Sequence, residues 1–198
     1  MGATASMSIE PARVPGYLTL ICQGPTAATR QAAFPLDEAL EEGSKPLSLD
    51  SLRLERVSEL WCSPALAAQQ TAATLGLRAT IDPSLRDCDY GRWKGRRLTD
   101  LFSTEPVEIE RWMTDPTAVP HGGESLAAVG ERTRHWLAKR LGASGHCVAV
   151  THNTVIRLAL LSVLDAPISS FWHVDVEPFS SFALSSNGRR WALRIRKT

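Results

Sequence analysis

The chain has 198 residues, the size of one domain, with 22 Lys+Arg against 21 Asp+Glu for a net charge of +1 and 43% hydrophobic residues. That balance argues against a nucleic-acid binder working through bulk electrostatics and against an acidic disordered tail. The apolar content is enough for a core that needs no disulfide staples, and 13 Gly and 12 Pro give no sign of low complexity.

Cys22, Cys62, Cys88 and Cys147 form no C-x-x-C pair and no zinc-finger spacing, so buried reduced thiols in a cytoplasmic protein are expected. The opening MGATASMSIEPARVPG has no apolar leader core, and stretches such as VIRLALLSVL are too short and interrupted to span a bilayer. MGATAS fits the loose myristoylation pattern; a flexible arm over residues 1–16 is the reading adopted, followed by one domain over 17–198. Neither a membrane nor a nucleic acid is expected as a partner.

In chain order, Tyr17–Cys22 (YLTLIC) predicts a buried strand ended by Gly24 and Pro25. A short helix is expected between Thr26 and Gly43, then a loop over Gly43–Asp50. Ser58–Cys62 predicts a second strand. Ser63 then reads as an N-cap with Pro64 at the first helical position, opening a helix that Gly76 closes. A third strand is expected near Ala79–Ile81. Leu85–Glu124 carries few strand signals, a helix at Val107–Met113 and a turn at Pro120-His121-Gly122-Gly123. Ser125 starts a helix with apolar residues at Leu126, Val129, Trp136, Leu137 and Leu141. Cys147–Thr151 predicts another buried strand and Thr154–Leu164 a helix. Phe179–Leu184 and Trp191–Ile195 flank Asn187-Gly188 as a hairpin. Strands alternating with helices imply an α/β domain with a mostly parallel sheet.

Sites in such sheets lie beyond the carboxyl ends of strands. Two strands end on polar groups, Cys22-Gln23-Gly24-Pro25-Thr26 and Thr151-His152-Asn153-Thr154. His152 stands where a strand passes into a helix, so helix amides can face the same ligand. The five histidines show no metal-ligand spacing, and nucleophile-elbow, phosphate-loop and dinucleotide motifs are missing. No metal and no cofactor are expected.

Five segments together resemble the histidine phosphatase superfamily, the phosphoglycerate-mutase-like phosphatases. LICQGPT (residues 20–26) is similar to the family's strand plus Arg-His-Gly-Glu-Thr. CSPALAAQQTA (62–72) is similar to its Ser-Ser-Pro-Leu-x-Arg-Ala-x-Gln-Thr-Ala, and LRDCDYGRWKG (85–95) to its Leu-x-Glu-x-x-x-Gly segment. HGGES (121–125) and VTHNTVIR (150–157) match its Gly-Gly-Glu-Ser and Val-Ser-His-x-x-x-Ile-Arg. The resemblance implies a three-layer α/β/α sandwich around a mostly parallel sheet.

It also implies a mechanism in which the first histidine attacks phosphorus, two arginines and the second histidine hold the oxygens, and a Glu or Asp protonates the leaving group. Carried over residue by residue, the nucleophile position is Gln23 and the two arginine positions are Cys22 and Ala67. His152 and Asp87, at the acid position, survive in type; Asp89 falls outside the register. An amide nitrogen's lone pair is delocalised, so Gln23 cannot carry a phosphoryl group. With about 1.5–3 kcal/mol per hydrogen bond to a charged group, losing two arginines weakens phosphate binding by on the order of 10²–10⁴-fold.

The expectation is a degenerate member without the phosphohistidine mechanism, retaining a weak pocket for phosphate or a phosphorylated small molecule. The donors expected there are the amides of Gly24 and of the Gly122-Gly123 turn, those after His152 beginning with Asn153, and the hydroxyls of Thr26 and Ser63. His121 is a further candidate. Arg30 as a substitute clamp, Cys22 as a nucleophile, and Arg92, Lys94, Arg96 and Arg97 as an anion-binding rim are secondary candidates, with Trp93 read as core. The alternative is an active phosphomonoester hydrolase with a rewired site using Asp87 and His152. A protein partner, or a second copy of the chain, is a third reading.

Overall fold

The computed structural model describes residues 16–44, 52, 57–76 and 78–195. Six strands form one sheet: β1 (Gly16–Cys22), β2 (Val57–Cys62), β3 (Thr80–Ile81), β4 (Gly145–Thr151), β5 (Ser181–Ser186) and β6 (Trp191–Arg194). The helices are α1 (Ala27–Gln31), α2 (Leu66–Thr74), α3 (Leu98–Thr104), α4 (Pro106–Thr114), α5 (Leu126–Arg140) and α6 (Asn153–Val163), with 3-10 turns at Pro83–Leu85, Gly91–Trp93 and Ile168–His173. The strand order is β3-β2-β4-β1-β5-β6; β1 to β4 run parallel, and β5 and β6 form the antiparallel edge.

Alternation along the two central strands divides the core. Leu18, Leu20 and Cys22 of β1 and Cys147 and Ala149 of β4 pack with Trp136, Leu137, Ile156 and Leu160 of α5 and α6. Ile21, Val148 and Val150 point the other way, onto Ala68, Ala72 and Leu75 at α2. Helices therefore cover both faces, the three-layer arrangement expected from the sequence, and the central strands are apolar throughout because neither face is wet. A third cluster, built on Phe34, Tyr90, Trp93, Leu101, Ile109 and Trp112, packs against α6 through Val155, Leu158 and Leu161.

Several local expectations shift. Most of the expected N-terminal arm and of the Gly43–Asp50 loop lies outside the described residues, but Gly16 already pairs with Gly145 in β1. Helix α2 starts at Leu66 rather than at Pro64 because Ala65 keeps an extended backbone (φ −63°, ψ 141°), although the Ser63 hydroxyl still accepts from its amide. Helix α3 was not foreseen: LTDLFST has weak helix formers, and the buried Leu101 holds it in place. Ser125 does cap α5, accepting from the Ala128 amide. At the hairpin, Gly188 takes a φ of 80° while the Asn187 side chain accepts from the Arg189 and Arg190 amides.

Candidate functional site

Strands β1 and β4 are hydrogen-bonded neighbours, and their last residues, Cys22 and Thr151, are register partners. The next residues, Gln23 and His152, therefore emerge side by side, and the Gln23 amide donates to the Thr151 carbonyl at 2.8 Å. His152 is the N-cap residue of α6.

The imidazole of His152 is held from two sides. Ser63 Oγ lies 2.8 Å from Nε2 and also accepts from the Ala65 amide at 3.2 Å. In the tautomer where the hydroxyl donates to Nε2, Nδ1–H faces Asp87 Oδ2 at 3.7 Å. Serine, imidazole and carboxylate have the connectivity of a nucleophile–base–acid relay. Ser63, however, is fully buried and outside the cavity lining, so its hydroxyl is placed to orient the ring. Burial holds the His152 imidazole below the ordinary histidine value, although Asp87 pulls the other way. The ring is neutral near pH 7.

The loop carrying Asp87 is clamped from behind. Arg132 of α5 donates to the carbonyls of Ser84 and Asp87, each at 2.9 Å, and to both carboxylate oxygens of Glu124. Thr151 Oγ1 donates to the Leu85 carbonyl at 2.7 Å, tying the end of β4 to the same loop. Glycine is required where this loop meets the next: a Cβ on Gly123 would lie 1.9 Å from the Asp89 carbonyl oxygen. The Glu124 amide donates to that same oxygen at 2.7 Å. The His-Gly-Gly-Glu-Ser segment is thus a brace for the Asp87 loop.

These elements enclose a cavity of about 500 Å³. Of the expected site residues, Cys22, Gln23, Gly24, Thr26, Asp87, His152 and Asn153 line it; Ala67, Ser63, His121 and Gly123 do not. Several expected anion donors are engaged internally. The Gly24 amide donates to Thr71 Oγ1 at 2.9 Å, Thr26 caps α1, and the Gly123 amide donates to His121 Nδ1 at 3.1 Å. His121 itself is buried against Trp93 and Tyr90.

The secondary candidates fare differently. Burial and the nearby Asp87 push the Cys22 thiol up to about 12, so it is no thiolate at neutral pH. Arg30 pairs with Glu41 at 2.9 Å outside the cavity. The basic cluster is held by carboxylates: Arg92 and Arg96 pair with Glu105, and Lys94 pairs with Asp89 at 2.6 Å. Arg97 donates to Gln31. Trp93 is fully buried and donates its indole N–H to Glu105.

What sequence reasoning missed is the wall. Phe34, Tyr90, Trp112, Phe171 and Trp172 line the cavity, as does Arg157. Arg157 follows Asn153 by one helical turn, so the i, i+4 spacing on α6 was the available signal. Its guanidinium lies over the Phe171 ring at 5.2 Å and reaches Asp175 at 3.4 Å, while its Nε has no hydrogen-bond partner. Gln23 Oε1 and Trp112 Nε1 are likewise buried without partners. Among the described residues no group of three or more His, Cys, Asp or Glu could hold a metal ion, and no helix is long and apolar enough to cross a membrane.

Residues 26–197 match the family model described as Histidine phosphatase superfamily (branch 1). A bifunctional protein of Mycobacterium tuberculosis is 31% identical over 144 residues, covering 69% of this chain and 40% of that protein. The adenosylcobalamin/alpha-ribazole phosphatase of Salmonella typhimurium is 30% identical over 134 residues, 64% of this chain and 66% of that one. The chain thus spans 40% of the length of the mycobacterial relative and about two thirds of the Salmonella enzyme. Among solved structures, a mycobacterial glucosyl-3-phosphoglycerate phosphatase in complex with VO3 superposes with a TM-score of 0.77 at 24% identity, covering 90% of this chain and 97% of that one. A second structure of that phosphatase holds inorganic phosphate.

Proposed function

Because the chain belongs to the histidine phosphatase superfamily, we propose that it is a member without the phosphohistidine mechanism, whose pocket binds a ligand rather than turning it over. The observation that carries this reading is the identity of the residue beside His152: Gln23, an amide, stands at the position matching the family's nucleophile. Neither neighbour offers a replacement. The Cys22 thiol is protonated at neutral pH, and Ser63 is sealed from the cavity.

Phosphate binding on this reading is weak. Arg157 is the one guanidinium among the lining residues, and it already reaches Asp175. His152 is neutral and the Gly24 amide is engaged with Thr71, so the remaining donors carry no charge, among them the first amides of α6 and the side-chain amides of Gln23 and Asn153. In relatives such as the mycobacterial phosphatase, inorganic phosphate is bound; here it is expected at millimolar affinity or weaker.

The contact between Asp87 and His152 favours one competing reading, a hydrolase in which these two groups activate water directly. Steady-state assays with p-nitrophenyl phosphate separate the two. The non-catalytic reading expects no turnover above background and no labelled phosphoprotein after an alkaline denaturing quench, which preserves phosphohistidine. Turnover at ordinary phosphatase rates that is lost in both Asp87→Asn and His152→Ala would establish the water mechanism and overturn it. A labelled protein would overturn it in favour of covalent catalysis.

A further inference from the structure

The sheet carries another concavity, at the end of β1 remote from Gln23. Tyr17 of β1, Ser185 of β5 and Ala192 of β6 are register partners across three neighbouring strands. Their side chains leave the face opposite to Leu18 and Leu184, which pack with α5 and α6. On that face α2 covers Ile21, Val148 and Val150 nearer the middle of the sheet. Over the outer row lies a trough of about 400 Å³, lined only by residues of β1 and of the β5–β6 hairpin. The small side chains of Ser185 and Ala192 leave the room.

Two guanidiniums line this trough, Arg190 and Arg194, and among the described residues no carboxylate does. Most arginines of the described chain are tied to a carboxylate, whereas neither of these two is. Both are exposed. The charge is also local: residues 178–198 hold five basic side chains and no acidic one, in a chain of net charge +1. A positive concavity without counter-charges concentrates anions from solution.

Arg194 is aimed as well. Its register partner is Ala183, yet its guanidinium lies 5.1 Å from the ring of Tyr17, which belongs to the neighbouring row. The side chain therefore turns across β5 toward the hairpin end, where Arg190 stands. Four residues of chain separate the two backbones by at most about 14 Å, and this turn narrows the gap between the charges. Basic residues that only guard an edge strand against pairing need no such orientation.

We propose that the trough is an anion site for a compact small molecule carrying two phosphate or carboxylate groups, held between Arg190 and Arg194. The planar fork of a guanidinium matches either group bidentately. Tyr17 lies about 17 Å along β1 from Cys22, and the trough shares no lining residue with the His152 cavity. The site therefore stands whether or not that cavity turns over a ligand.

The test titrates inorganic pyrophosphate and citrate calorimetrically into the whole chain at about pH 7.5 and about 0.15 M NaCl, with inorganic phosphate as the single-group control. Saturable binding of one pyrophosphate or citrate per chain is expected, at least tenfold tighter than phosphate, and the tighter of the two names the group that is read. Arg190→Gln and Arg194→Gln are each expected to weaken it at least fivefold. Arg78→Gln removes an exposed guanidinium next to β3, at the opposite edge of the sheet, and is expected to leave binding within twofold of wild type. All three replaced side chains are exposed, so the variants are expected to melt within about 3 °C of wild type. Failure of both pyrophosphate and citrate to bind would overturn the proposal. So would phosphate binding as tightly as either, or binding that survives either trough substitution. An equal loss in Arg78→Gln would also overturn it, because net charge rather than the trough would then be the cause.

Discussion

Burial without full charge compensation penalises the protonated form of an imidazole, and both His121 and His152 titrate below the ordinary value of 6.5 for that reason. In the unfolded chain the same rings take up their protons first, so protons favour unfolding. Their contribution to stability is complete above pH 6.5 and is lost as pH falls from there toward the folded values. Each ring adds a slope of at most about 1.4 kcal/mol per pH unit over that window. Urea midpoints are therefore expected to fall between about pH 7.5 and 5.5, and the fall should be shallower in His121→Gln. Parallel pH profiles for the two proteins would refute this. The window is distinct from that of Asp82, Asp89 and Glu105, whose lowered values stabilise the fold above the usual carboxylate range and lose that effect only as pH drops below it. At this scale the sequence was explicit about what stands at each motif position. It was silent about the partners that decide what a group can do: the Thr71 hydroxyl on the Gly24 amide and the Glu41 carboxylate on Arg30 come from elsewhere in the chain.

Between elements, the brace formed by Glu124 and Arg132 sets where Asp87 stands. Both side chains are nearly buried, at 13% and 14% exposure, and among the described residues the guanidinium pairs with no other carboxylate. Glu124→Ala leaves a buried cation whose remaining partners are carbonyls. Breaking such a pair by removing one member costs about 3–5 kcal/mol, and a loss near 10 °C in melting temperature is expected. A differential scanning melt within about 3 °C of wild type would show that the brace is not structural. The sequence marked this segment through its glycines but did not reveal its partner, because α5 and the Asp87 loop meet only through the folded chain. Element boundaries behaved similarly. Short apolar runs located β1 and β4 to within a residue or two, and β2 was placed as closely. The start of α2 moved to Leu66 because Ala65 stays extended, a backbone choice its sequence did not mark.

Across the molecule, Arg140 at the end of α5 joins that helix to the sheet edge. Its guanidinium lies 3.8 Å from the Trp136 ring and 4.3 Å from that of Trp61 in β2, and it reaches Asp82 beyond β3 at 3.3 Å. A stacked cation of this kind contributes about 1–2 kcal/mol through each ring when shielded from water. Arg140→Ala is expected to lower the melting temperature by about 5–10 °C, with Arg140→Lys recovering only part of it; full recovery by lysine would deny the planar stacking. The α/β architecture and its largely parallel sheet were legible because buried central strands leave continuous apolar runs such as CVAVT. The aromatic wall was not, since Phe34, Trp112 and Trp172 come from segments with no shared motif and converge only over α6. One consequence follows from the residues at the two family arginine positions. Cys22 and Ala67 are 3% and 2% exposed, small and uncharged, the kind of side chain that dense packing favours. A guanidinium at position 67 would have to be seated in space that packing has closed, whereas one at position 22 would border the cavity.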